Sequence, residues 1–71
     1  MRKKYKQVED KLVYDITYKG DRQQFLVPKE DKLELEVEDS NLWFKGSDGS
    51  WYLTDNNACD YISHGWIEEI L

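Results

Sequence analysis

Apolar and polar residues along this chain alternate with period two more often than they recur at helical spacing. The run Lys32-Leu33-Glu34-Leu35-Glu36-Val37-Glu38 is the clearest case. In a strand, Leu33, Leu35 and Val37 share the core face while Glu34, Glu36 and Glu38 face water; a helix would scatter both sets around its circumference. Lys11 to Tyr18 is rich in β-branched and aromatic residues and predicts another strand. Lys19-Gly20-Asp21-Arg22 predicts a turn, because glycine reaches positive φ without steric cost. Gln23 to Val27 predicts the strand that follows, ended or confined to a sheet edge by Pro28, which has no N–H to give a ladder.

The same signals continue to the end of the chain. Asp39-Ser40-Asn41 is a turn, Leu42-Trp43-Phe44-Lys45 a short strand, Gly46-Ser47-Asp48-Gly49 a tight hairpin connection and Ser50-Trp51-Tyr52-Leu53-Thr54 the returning strand. Asp55-Asn56-Asn57 offers side-chain oxygens for a helix N-terminus. A short helical turn near residues 57–62 is one reading of the stretch 55–65, and a loop is the other. Ser63-His64-Gly65 breaks the chain before Trp66 to Leu71, a closing strand or a short helix. The expected fold is mostly β, with five or six short strands in a small barrel or sandwich over residues 9–71. Residues 1–8 are expected to form a basic, flexible arm.

Length sharpens this picture. Seventy-one residues make one domain, and a domain near this size buries only about 60% of the surface its unfolded chain exposes. The 14% of aromatic residues then matters, because large rings supply a core that few aliphatic residues would otherwise build. Cys59 is the single cysteine, so there is no internal disulfide framework. No apolar leader follows the basic start, and no run approaches a membrane span, so the cytoplasm is the expected compartment and no membrane is expected as a partner.

The net charge of -5 is unevenly spread. Arg2, Lys3, Lys4 and Lys6 lie in the first seven residues, leaving six basic against fifteen acidic residues in the remainder. An acidic body repels phosphate backbones and favours basic partners, which argues against nucleic acid.

At this point the order of segments resembles an SH3 domain. Leu12-Val13-Tyr14-Asp15-Ile16 is similar to the family's opening Ala-Leu-Tyr-Asp-Tyr motif, and Phe25-Leu26-Val27 stands where the family has its Leu-Ser-Phe strand. Lys29-Glu30-Asp31-Lys32-Leu33-Glu34-Leu35 resembles Lys-Lys-Gly-Asp-x-Leu-x-Val, Trp43-Phe44 follows at the spacing of the family's Trp-Trp pair, and Gly65-Trp66-Ile67-Glu68-Glu69-Ile70 resembles Asn-Tyr-Val-x-x-Ile. The resemblance spans residues 12–46 and 65–70 and implies a small SH3-like barrel of five or six strands. It departs at Ile16, at Glu30, in the longer stretch Thr54 to His64, and in a 17–24 connection carrying Lys19 and Arg22 beside Asp21. These departures point away from ordinary PxxP recognition.

The resemblance further implies that Tyr14, Tyr18, Trp43 and Trp66 approach one another on one face, as flat rings with polar tips suited to a peptide groove. Glu34, Glu36 and Glu38 form a carboxylate stripe about 7 Å apart along a strand face. The stripe is either a solvated sheet face or a surface for a basic partner. Cys59, Asp60 and His64 fall short of the four ligands of a structural zinc site. A calcium loop starting at Asp55 would put Asp60 at the glycine position and Trp66 at the final glutamate position. No nucleophile elbow, phosphate loop or dinucleotide fingerprint is present, so neither catalysis nor a cofactor is expected.

The leading expectation is a non-catalytic protein or peptide interaction module, with an aromatic surface and an acidic rim that selects basic partners. The alternative is a small acidic inhibitor, of the kind phages and mobile elements encode, that occupies the basic nucleic-acid groove of a target protein. A homodimer is a further expectation, since a second chain would cover exposed indoles in a thin-cored domain.

Overall fold

The computed structural model describes residues 1–71. Seven strands, one single-turn 3₁₀ segment and one short helix follow one another along the chain: β1 (Lys3–Gln7), β2 (Lys11–Tyr18), β3 (Asp21–Pro28), the 3₁₀ turn (Lys29–Asp31), β4 (Glu34–Glu38), β5 (Asn41–Lys45), β6 (Trp51–Asn57), α1 (Ala58–Ser63) and β7 (Ile67–Glu69). They form two layers. A five-stranded antiparallel sheet has the order β6-β5-β4-β1-β7, and the β2–β3 hairpin makes a second sheet of two strands.

The mostly β architecture and the short helix agree with the expectation, but the arrangement corrects it in two ways. The sheet does not close into a barrel: β6 and β7 are its two outer strands, and no ladder joins either to the hairpin. Side chains make that junction instead. Asn56 accepts from the Asp15 backbone N–H at 2.9 Å, and the Thr17 hydroxyl donates to Asp55 at 2.7 Å. The Tyr61 hydroxyl of α1 donates to the Val13 carbonyl. Side-chain bridges of this kind hold the layers together while leaving each sheet its own edges.

The second correction concerns the expected arm. Residues Lys3–Gln7 are a strand near the centre of the sheet, with β4 on one side and β7 on the other. Lys4 and Lys6 point to the outer face, opposite Glu36 and Glu34, while Tyr5 and Gln7 point inward. Gln7 is buried and fully engaged: its amide donates to the Glu9 and Val27 carbonyls at 3.0 and 2.9 Å, and its oxygen accepts from the Tyr14 hydroxyl at 2.9 Å. A buried amide with every partner in place ties the start of the chain to the hairpin.

The turns follow the local chemistry. Lys19 and Gly20 both have positive φ, 51° and 81°, which is the two-residue turn whose twist suits an antiparallel hairpin. Pro28 closes β3 at the position paired with Lys11. Asn57 caps α1 by accepting from the Cys59 N–H at 2.8 Å. The core is Leu12 and Tyr14 from β2, Leu35 and Val37 from β4, Leu42 from β5, Ala58 and Tyr61 from α1, and Ile67 from β7. It therefore lies where hairpin, sheet and helix meet.

Candidate binding cleft

The inner face of the hairpin carries Leu12, Tyr14, Ile16 and Tyr18 on β2, opposite Val27, Phe25, Gln23 and Asp21 on β3. Leu12 and Tyr14 are sealed in the core, while Tyr18 and Phe25, in the outer half of the hairpin, stay exposed. An open cleft of about 740 Å³ lies between that outer half and the turn joining β5 to β6. Ile16, Tyr18 and Phe25 form one wall, and Phe44 and Tyr52 form the other. The rings are arranged in contact: Phe44 stacks on Tyr52 at 5.6 Å between centroids and meets Phe25 edge-on at 6.2 Å. Phe25 keeps 39% of its surface exposed and Tyr18 keeps 55%, so the apolar surface here is reachable.

The β5–β6 turn shapes the rim. Asp48 accepts from the Ser50 N–H at 2.9 Å and from the Tyr52 hydroxyl at 2.7 Å. The Ser50 backbone bond, followed by the Tyr52 hydroxyl, holds the Asp48 carboxyl below the usual aspartate value. The same bond raises the Tyr52 phenol, with a smaller contribution from nearby Tyr18. Gly46 lies beneath this pair, and a Cβ there would come within 2.5 Å of the Tyr52 ring and 2.9 Å of Asp48, so a larger residue would displace them.

The four rings expected to share one face do not come together. Tyr14 is fully buried below the cleft floor, its phenol raised chiefly by burial and next by Tyr61. Tyr18 reaches the cleft. Trp43 lies on the other face of β5 from Phe44, half-buried beneath the Arg2 guanidinium, 3.7 Å from the ring centroid, and its indole N–H has no hydrogen-bond partner. Trp66 sits at the corner between α1 and β7, edge-on to Tyr61 at 5.2 Å and stacked with His64 at 4.4 Å. Its carbonyl accepts from the N–H groups of Val8 and Glu9, so its place is structural.

Glu34, Glu36 and Glu38 do share the outer face of β4, as the alternation predicts. They are not a free acidic surface. Glu36 pairs with Arg2 at 3.4 Å, Glu34 with Lys45 at 3.7 Å, and Glu38 takes the terminal ammonium. Lys4 and Lys6 stand beside Glu36 and Glu34 on β1, so columns of opposite charge alternate across the sheet. Cys59 is exposed, Asp60 and His64 meet only through the Asp60 carbonyl at 2.7 Å from the ring nitrogen, and no group of three or more potential metal ligands assembles.

Sequence reasoning missed Phe25, Phe44, Tyr52 and Asp48. The usable signal was parity: Phe25 opposite Tyr14, and Phe44 two positions from Leu42, both fall on core-facing positions. Together these features define a small, two-layered, mostly β domain with an aromatic cleft between the layers. No helix is long and apolar enough to cross a membrane. Neither a protein-family model nor a curated protein nor a solved structure matches the chain.

Proposed function

We propose that this chain is a non-catalytic interaction module that binds an extended segment of a basic protein in the cleft between the β2–β3 hairpin and the β5–β6 turn. The observation that carries this reading is the open aromatic cleft itself, where Tyr18, Phe25 and Tyr52 offer rigid apolar surface beside an ionised carboxylate. Aromatic side chains gain contact area at low entropic cost, and buried ring anchors dominate many interfaces. The net charge of -5 favours a basic partner. An open, SH3-like arrangement belongs to the same proposal. Its support is the chain order: a long hairpin, three consecutive antiparallel strands, one helical turn and a last short strand follow the order of the motifs that carry the resemblance.

The test is a selection from a random peptide library on the immobilised chain, repeated with Phe25→Ala. Enriched peptides that depend on Phe25, with circular dichroism unchanged by the substitution, support the cleft. Absence of enrichment, or enrichment indifferent to Phe25, removes it.

A further inference from the structure

Given that cleft as the binding surface, we propose that its central occupant is a cationic side chain, an arginine or lysine of the partner segment, seated on the rings of Tyr18, Phe25 and Tyr52 with its charge against Asp48. Four observations converge on this chemistry. The first is the wall geometry. Phe25 and Tyr52 are both braced by Phe44, edge-on to one and stacked with the other, so they stand as separate walls. Ring faces attract a cation within about 6 Å through their quadrupole, and the attraction grows when water is excluded.

The second is the carboxylate. Asp48 already has one donor on each oxygen, from Ser50 and Tyr52, which fixes its orientation at the rim. A carboxylate has about four lone-pair sites, so two acceptor positions remain for an incoming N–H. A neutral occupant would desolvate this charge without replacing its water, which is unfavourable. The third concerns the one lysine that lines the cleft, Lys45, whose ammonium is engaged with Glu34 at 3.7 Å. The fourth lies at the cleft's edge, where the Lys19 ammonium stands 5.4 Å from the centroid of Tyr18. One of the wall rings thus already receives a cation from within the chain.

The experiment is a two-dimensional NMR titration of the whole chain with N-acetyl-arginine amide and N-acetyl-lysine amide. Their uncharged counterparts, the citrulline and norleucine amides, are the controls. Saturable shifts at Tyr18, Phe25 and Tyr52, with the cations binding about tenfold more tightly than the controls, are expected. Asp48→Asn, which keeps an acceptor for Ser50, and Phe25→Leu, which keeps apolar volume at an exposed position, should each reduce that preference. Equal binding of charged and uncharged amides overturns the cationic occupant yet leaves the cleft as a peptide site. Shifts confined to other surfaces, or none, also overturn it, while the library selection judges the cleft independently.

Discussion

Tyr14 carries its hydroxyl into the core and donates it to Gln7, whose amide in turn reaches Glu9 and Val27. Tyr14→Phe keeps the ring and leaves the Gln7 oxygen buried without a donor, at a cost of about 1–2 kcal/mol in urea unfolding. The pH dependence has a definite sign. Burial pushes the Tyr14 phenol well above its ordinary value, while the unfolded phenol ionises near pH ~10. Stability from the protonated phenol is therefore complete below that pH and is lost as pH rises toward the folded value. Tyr61, raised by burial and then by Asp15, acts in the same direction. The urea midpoint of the wild type should fall above about pH 10, and the fall should be shallower, though still present, in Tyr14→Phe. A midpoint as steep in the variant as in the wild type would show that Tyr14 is not sealed.

At the scale of elements, β1 decides whether the sheet is one structure or two. It lies between β4 and β7, and removing it would expose an edge of β4 and leave β7 without a partner strand. Deleting residues 1–7 should abolish the cooperative unfolding transition and the dispersed amide spectrum; a solvated arm would lose neither. The strand was hard to read because its inward positions are Lys3, Tyr5 and Gln7, of which only Tyr5 is apolar. A strand held by ladder bonds and a satisfied buried amide gives no hydrophobic alternation to detect. In β4 the opposite holds: Leu35 and Val37 are buried and Glu34, Glu36 and Glu38 share the other face, so the pattern alone identified strand and orientation. The helix was legible only in part: Asn57 offered a capping oxygen, which accepts from the Cys59 N–H, but six residues are too few for a helical periodicity to separate helix from loop. The cleft was not legible. Which rings meet depends on how the hairpin crosses the sheet, and nothing local to Tyr14, Trp43 or Trp66 sets that crossing.

Over the whole molecule, the outer face of the large sheet and the cleft differ in how their carboxylates are met. The outer face of the large sheet pairs its glutamates with Arg2, Lys45 and the terminal ammonium, so the carboxylate stripe is largely compensated within the chain. Exposed Leu53 also belongs to that outer face, at the position paired with Trp43. The cleft lies on the opposite side, between the layers, and the Asp48 carboxylate is among the groups that line it. These two surfaces give contrasting substitutions in one protein. Isothermal titration of a library-selected peptide should show Phe25→Ala weakening binding by about tenfold or more, as expected of a ring anchor, and Leu53→Ala leaving affinity unchanged. Undiminished affinity in Phe25→Ala, or an equal loss in Leu53→Ala, would contradict binding in the cleft.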